Sequence, residues 1–224
     1  MMSSDEFREE QRGSQRRILW IGGSPCGGKS TLATLLANKY GFAPYRCDEA
    51  LDTHQRRLTA SSHPLMHKLT NSSWNDLWTR PVAVQIREEL TFYREEFPLI
   101  LDDLRAYPDD TPLLVEGTAL LPELVAPLLT APQQAVWLVP TAAFQREHYA
   151  RRLWIHDILR QCDDPAHAFE NWMRRDIGFA DTVERQAQEQ RLRVLRIDGT
   201  VGVEALTTLV EKWFQLSAIT DHMA

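Results

Sequence analysis

A glycine-rich segment near the start of the chain has the residue types of a phosphate-binding loop. Gly23 to Ser30 reads Gly-Ser-Pro-Cys-Gly-Gly-Lys-Ser, which matches the pattern G-x-x-x-x-G-K-[ST]. Glycine permits positive φ and close backbone approach, so several N–H groups can converge on one phosphate. We expect Lys29 to bridge the β- and γ-phosphates of a nucleoside triphosphate and Ser30 to bind Mg²⁺. The predicted phosphate-binding residues are Gly23, Ser24, Pro25, Cys26, Gly27, Gly28, Lys29, Ser30 and Thr31.

The segments on either side of this loop provide the context that the pattern requires. The apolar run Ile18–Gly22 predicts a buried strand, and the Leu- and Ala-rich residues after the loop predict a helix that ends at Gly41. The N-terminus of that helix would add about half an elementary positive charge beside a bound phosphate. The order strand, loop and helix therefore favours a nucleotide site over an accidental glycine-rich turn.

Five short apolar segments alternate with helical stretches along the chain. This alternation predicts a mostly parallel sheet with helices on both faces. Long helices are predicted over Thr141–Arg160 and Pro165–Gln190, and an amphipathic helix over Val203–Leu216. Asp163 or Asp164 is the expected N-cap of the second of these helices. The predicted strands are Ile18–Gly22, Ala43–Cys47, Leu113–Glu116, Ala135–Val139 and Arg193–Ile197.

Length and composition are those of one globular α/β domain. The chain has 224 residues, of which 43% are hydrophobic and 25% are charged. A net charge of −6 offers no electrostatic footprint for nucleic acid or an anionic membrane, so we expect neither as a partner. The three dispersed cysteines argue against a disulfide framework, and no secretion signal or membrane span is found, which predicts a cytoplasmic protein. We expect residues 1–15 to be a flexible leader and 16–224 to be a single domain.

From residue 16 to about 215 the layout resembles that of the P-loop small-molecule kinases. This group includes adenylate, shikimate and gluconate kinases, chloramphenicol phosphotransferase and zeta-toxin-like kinases, and only Gly23–Ser30 carries the resemblance in sequence. The resemblance implies a three-layer fold with strand order 2-3-1-4-5, ATP as co-substrate and Mg²⁺ as cofactor. It also implies a helical acceptor-binding insertion after the second strand, over residues 51–110, and an arginine-bearing helical lid over residues 141–192.

Two carboxylates follow predicted strands at the edge of the sheet where ligands bind in this fold class. In the kinases that the chain resembles, an acid at the position of Asp48 contacts the acceptor hydroxyl and can take its proton, although Asp48 could instead cap the following helix. Glu116 ends the third strand and could reach Mg²⁺, bind the acceptor or form an ion pair. Gly117 would let the backbone turn close to the acceptor.

Arginines in the predicted lid are candidates for stabilising the transferring phosphoryl group, because guanidinium forks match its equatorial oxygens. Arg146 and Arg151 are the predicted catalytic pair, with Arg152 and Arg175 as alternatives, and the remaining lid arginines are expected on the surface. These residues complete the expected site of an enzyme that transfers the γ-phosphoryl group of ATP to a small hydroxyl- or phosphate-bearing acceptor.

The insertion of about 60 residues contains no good strand. Pro81–Phe97 is predicted to be helical, and Pro98 either ends the helix or kinks it before Leu99–Arg105. Trp74 and Trp78 are four residues apart, so they share a helical face. They could form a wall for a ring-bearing acceptor, with Arg80 holding an anion, or they could simply pack on the core.

Two further function classes stay open at this stage. One is an ATPase or nucleotide-dependent switch, and the other is a nucleotide-binding module without a small-molecule acceptor. The long insertion and lid argue against a switch, as does the absence of a guanine-reading Asn-Lys-x-Asp. The sequence makes no prediction of the oligomeric state.

Overall fold

The five segments predicted as strands pair into one parallel sheet. A computed structural model of the chain describes residues 6–9 and 16–216. The strand order is β2-β3-β1-β4-β5, and all four neighbouring pairs are parallel. The predicted order is confirmed, so the chain has the three-layer fold of the P-loop kinases. The strands are β1 (Ile18–Gly23), β2 (Ala43–Arg46), β3 (Leu113–Glu116), β4 (Ala135–Pro140) and β5 (Val194–Ile197).

Helices connect the strands and cover both faces of the sheet, as parallel crossovers require. None of the helices within residues 6–9 and 16–216 has the length and apolar character needed to cross a bilayer. Two 3₁₀ turns, Ala126–Leu128 and Pro132–Gln134, precede β4. The helices are α1 (residues 6–9), α2 (Lys29–Tyr40), α3 (Cys47–Gln55), α4 (Pro64–Thr70), α5 (Trp74–Thr79), α6 (Val82–Arg105), α7 (Pro122–Val125), α8 (Ala142–Ala150), α9 (Leu153–Leu159), α10 (Pro165–Glu189) and α11 (Val203–Trp213).

The alternation of side chains along each strand divides the core into two layers. Trp20 and Trp137 face a layer that includes α6 and the second half of α10. Leu19 and Ile21 face the opposite layer, formed by α2 and α11. Strands β1, β3 and β4 are buried on both faces and are therefore almost continuously apolar, and this explains why they could be predicted from the sequence.

Helix α6 runs without interruption through Pro98. Proline cannot donate a backbone hydrogen bond, so a break or a kink was expected there. On both sides of the proline, however, the helix buries Phe97, Leu99, Ile100 and Leu101 in the core, each at most 3% exposed. This tertiary packing holds together a helix of 24 residues where local sequence favours an interruption.

The predicted helix Thr141–Arg160 is wrong as a single element, because it is divided into α8 and α9. Arg152 interrupts it with an extended backbone, at φ −87° and ψ 112°. Beyond the break, Ile155 and Leu159 are buried in a cluster that includes Trp172. Packing of α9 on this cluster turns the chain at a point where residue propensity alone would continue the helix.

The expected flexible leader differs from the structure over residues 6–9, which are helical. Phe7 lies there in the core layer that contains α6 and is 1% exposed. Residues 1–5 and 10–15 of that segment lie outside the described residues.

Candidate active site

The glycine-rich loop is held tightly against the end of β4. A Cβ atom on Gly23 would lie 2.0 Å from the carbonyl oxygen of Leu138, and φ at Gly23 is +128°. Ser24 donates its backbone N–H to that same oxygen at 3.2 Å. A side chain at position 23 would therefore break the anchor of the loop, and only glycine fits.

Lys29 begins α2 and reaches back across the loop. Its Nζ donates to the carbonyl oxygen of Ser24 at 2.9 Å, and the residue is 7% exposed. Burial lowers the pKa of Lys29, whereas the nearby charges of Asp48 and Glu116 raise it. A buried cation held by one carbonyl can exchange that bond for the oxygens of a bound phosphate.

Ser30 and Glu116 have the donor set of a magnesium site. Ser30 and Glu116 border the same cleft, and Glu116 is 2% exposed. Burial raises the pKa of Glu116, an effect that Lys29 opposes. Among the described residues, Glu116 Oε2 has no hydrogen-bond partner. A hydroxyl beside an unpartnered carboxylate oxygen fits Mg²⁺, which commonly takes one or two protein oxygens and completes its shell with water and phosphate.

Asp48 is exposed and lies in the first turn of α3. It was predicted at the end of the second strand. Strand β2 ends earlier, at Arg46, opposite Glu116 in β3. Arg46 rather than Asp48 is the N-cap residue, so the capping alternative is wrong. Asp48 borders three openings: a cavity of about 440 Å³ at the glycine-rich loop, a cavity of about 500 Å³ beside it and a cleft at Ser30.

Gly117 lies beneath the start of α3, and not along the cavity of about 500 Å³ as the predicted role in acceptor binding requires. A Cβ atom there would come within 2.5 Å of the Cβ atom of Cys47. The missing side chain thus allows α3 to begin directly on the end of β3. Gly117 thereby positions Asp48, which follows Cys47.

Two of the four candidate arginines border the cavity at the glycine-rich loop, and they are Arg152 and Arg175. The predicted pair is elsewhere. Arg146 makes two bonds to Glu170 at 2.8 and 2.9 Å on the outside of the lid. Arg151 pairs with Glu147, and its side chain is 68% exposed. The preference for Arg146 and Arg151 is therefore wrong in geometry, because the break between α8 and α9 turns only Arg152 inward.

Arg175 is the most constrained cation of the site. Its guanidinium lies 2.9 Å from Glu89, beside Asp176, and 4.9 Å from the ring centroid of Trp78. Burial lowers the pKa of Arg175, but Asp176 and Glu89 outweigh this effect and raise it. Burial also raises the pKa of Glu89, although Arg175 opposes the shift. The Arg175 guanidinium is thus a positive charge held in a fixed position. It borders both the cavity at the glycine-rich loop, which we call the loop cavity, and the cavity of about 500 Å³ beside it.

The cavity of about 500 Å³, which we call the aromatic cavity, lies between the insertion and the lid. Trp78 and Trp172 stack with their ring centroids 4.0 Å apart at 13°. Trp74 and Trp154 also border the cavity and are 38% and 47% exposed. Trp74 and Trp78 were predicted either to form a wall for the acceptor or to pack on the core. Each interpretation holds for one of them, since Trp78 packs in the core while Trp74 leaves its ring accessible.

Arg80 borders the aromatic cavity, where an acceptor-binding residue was predicted. Its guanidinium is already paired with Glu88. Glu88 also accepts from Lys68 at 3.0 Å, and its side chain is 14% exposed.

A buried network behind the aromatic cavity was missed by the sequence reasoning. His54 is fully buried and bonds to Glu96 and Asp103, each at 2.9 Å. Burial lowers the pKa of His54, but these two bonds outweigh burial and raise it. Burial raises the pKa of Asp103, but its hydrogen bonds with His54, Tyr45 and Arg57 outweigh this effect and lower it. Glu96 and Asp103 are seven residues apart, two turns on one face of a helix, which is the signal that could have revealed the pair.

The chain has distant structural matches among known proteins. No protein-family model matches the chain, and no curated protein does. Similar solved structures include shikimate kinase from Acinetobacter baumannii in complex with shikimate, at 16% identity and TM-score 0.46, over 96% of this chain and 99% of that one. Shikimate kinase from Aquifex aeolicus matches at 14% identity and TM-score 0.41, over 90% and 98%. Such values carry no information on the substrate, so the roles of residues depend on the geometry of this chain.

Proposed function

We propose that the chain is an ATP- and Mg²⁺-dependent phosphotransferase that acts on the hydroxyl group of a small molecule. The observation that carries this proposal is the position of Asp48, which borders the loop cavity, the aromatic cavity and the cleft at Ser30. Phosphoryl transfer needs an acid or base at the point where an acceptor meets a bound γ-phosphate. A carboxylate shared by a phosphate site and a separate ligand cavity meets that need.

In this proposal the acceptor oxygen attacks the γ-phosphorus of ATP and the bond to the β–γ bridging oxygen breaks, so ADP leaves. The acceptor hydroxyl gives its proton to Asp48. Lys29 binds the phosphates and Arg152 neutralises the charge on the oxygens of the moving group, while Arg175 stays paired with Glu89 at the border of the same cavity. Ser30 and Glu116 would hold Mg²⁺, directly or through water, and the ion supplies charge neutralisation at the β- and γ-oxygens.

The activity is tested by measuring ADP formation from Mg·ATP across nucleosides, sugars, aminoglycosides, phenicols and short-chain metabolites. Lys29→Ala serves as the blank. We expect ADP formation that depends on one acceptor class and is absent from the blank. Slow hydrolysis that no acceptor stimulates would contradict the proposal and favour an ATPase or a switch.

The role of Asp48 is tested separately by Asp48→Asn. We expect acceptor-dependent transfer to fall about 10²- to 10⁴-fold, the usual contribution of a positioned general base, while ATP affinity is retained. Asp52→Asn is the matched control, because Asp52 is an exposed aspartate on the same helix. Unchanged turnover in Asp48→Asn would refute the assignment.

A further inference from the structure

Both arginines among the described residues that line the aromatic cavity are already engaged by glutamates. Arg80 pairs with Glu88, and Arg175 lies 2.9 Å from Glu89. The side chains of Glu88 and Glu89 are 14% and 7% exposed, so the pairs are largely withdrawn from water. Breaking such a pair leaves an uncompensated charge, which is strongly unfavourable. Neither guanidinium is therefore available to an anionic ligand at low cost.

The other titratable groups that line this cavity are mainly carboxylates. Asp48 and Glu96 border it together with the two glutamates of the pairs. Glu96 is 1% exposed and bonded to the buried His54. A carboxylate or phosphate entering here would lose its hydration and face like charges.

The walls and the unpartnered polar atoms suit an uncharged ring. Trp74 and Trp154 present accessible ring surface, and stacking on such surfaces favours flat molecules. Gln85 is 4% exposed, and its Nε2 donates to the Arg80 carbonyl at 2.7 Å. Within the described chain Gln85 Oε1 and Trp78 Nε1 have no hydrogen-bond partner. One buried acceptor and one buried donor match a neutral polar group such as a hydroxyl or an amide.

We propose that the acceptor is an uncharged hydroxyl compound with a flat, largely apolar ring, and that it carries no carboxylate or phosphate group. The volume of about 500 Å³ lies within the usual range of about 300–1,000 Å³ for small-molecule sites. This inference rests on the proposed function, since it takes the aromatic cavity as the acceptor site. It excludes the phosphate-bearing acceptors that the sequence left open, and the predicted use of Arg80 as an anion anchor.

The test is nucleotide-free binding of two matched pairs of probes, measured by calorimetry. One pair is 3-phenylpropane-1,2-diol and 3-phenyllactate, and the other is uridine and uridine 5′-monophosphate. In at least one pair we expect the neutral member to bind at least about tenfold more tightly than the anionic member, because burying the unpaired charge of the anion costs free energy. Binding of the anionic members as tightly as the neutral ones overturns the inference, as does binding of neither neutral member.

Glu88→Gln should improve the binding of the anionic probes relative to the neutral ones, a result that a general loss of structure would not produce. The variant releases Arg80 from its pair, so the preference for the neutral probe should shrink by about tenfold. Glu123→Gln is the control, because it removes an exposed pair with Arg94 elsewhere on the protein. An unchanged preference in a folded Glu88→Gln protein overturns the inference.

If Glu88→Gln does not fold, Trp74→Leu tests the same site from an exposed position. It should weaken the neutral probes about tenfold through the lost stacking surface, with unchanged Mg·ATP affinity, and unchanged probe binding overturns the inference. Separate titration with Mg·ATP distinguishes the two levels of proposal. Wild-type protein that fails to bind Mg·ATP contradicts the proposed function, whereas probe results against expectation in protein that transfers phosphate overturn only the acceptor class.

Discussion

Replacing Arg152 by alanine should weaken the preference of the site for ATP over ADP. Arg152 borders the cavity at the glycine-rich loop, as Lys29 does, and its guanidinium lies 5.0 Å from the centroid of the Tyr149 ring and 6.0 Å from that of the Trp154 ring. Held by these rings, it can meet the terminal phosphate that ATP has and ADP lacks. The charge also reaches the loop itself, since it lowers the pKa of Cys26 against the larger effect of burial.

The size of the effect follows from the contacts that are lost. A hydrogen bond to a charged group is worth about 1.5–3 kcal/mol, which is about 10- to 150-fold in affinity. We therefore expect Arg152→Ala to weaken Mg·ATP binding by that factor and Mg·ADP binding by less than about threefold. Loss of two partly exposed cation–π contacts should cost the fold only about 0.5–1 kcal/mol each.

The assay is calorimetric titration with Mg²⁺ and a non-hydrolysable ATP analogue, and then with Mg·ADP. Arg146→Ala is the matched control, since Arg146 pairs with Glu170 on the exposed side of the same lid. Such surface pairs contribute about 0–1 kcal/mol, and the variant should bind both nucleotides as the wild type does. Equal weakening of ATP and ADP in Arg152→Ala, or a selective loss of ATP in Arg146→Ala, would refute the reasoning.

Two further predictions concern the elements that support the site. His54→Gln should lower the free energy of unfolding by about 3–5 kcal/mol at pH 6, where the imidazolium joins two carboxylates. The pKa of His54 is raised, so its contribution is complete below the ordinary pKa of 6.5 and is lost as pH rises through the folded value. Urea unfolding should accordingly show a smaller deficit at pH 9, with exposed His156→Gln as control, and an equal deficit at both pH values contradicts this. Gly117→Ala should cost about 1–3 kcal/mol by overpacking against Cys47 and reduce acceptor-dependent turnover while ATP affinity is kept. Gly202→Ala, whose Cβ would have no described atom within 4 Å, is its control, and equal stability of the two variants by thermal unfolding would count against the clash.

The parts of the molecule that sequence predicts well are those determined by local chemistry. The glycine-rich loop needs particular residues at particular positions, since Gly23 and Gly27 would each clash with the Leu138 carbonyl if they carried a Cβ. Strands buried on both faces are apolar throughout and are recognised without knowledge of their neighbours. The end of α2 at Gly41 follows the same logic, with φ +71° and a backbone bond to Ala37.

The lid arginines could not be chosen from sequence because a distant contact decides their direction. Arg151 and Arg152 are adjacent, and in a continuous helix the direction of each side chain would follow from the helical repeat of 3.6 residues per turn. The helix instead stops where Ile155 packs beside Trp172 in the cluster between insertion and lid. These adjacent arginines thus lie in different surroundings: Arg151 is exposed beside Glu147, and Arg152 borders the loop cavity.

The parts of the site that sequence predicts well are those proposed to bind ATP and Mg²⁺, whereas the part that it predicts poorly is the proposed acceptor site. Lys29 and Asp48 come after the ends of β1 and β2, and Glu116 ends β3. These three strands adjoin in the sheet, so strand order sets the proposed phosphate, base and metal positions. The aromatic cavity is built from helices of the insertion and the lid, whose directions depend on packing with one another. Substitutions at Trp74 should therefore change which acceptor binds without changing how ATP is held, because Trp74 borders the aromatic cavity and does not border the cavity at the glycine-rich loop.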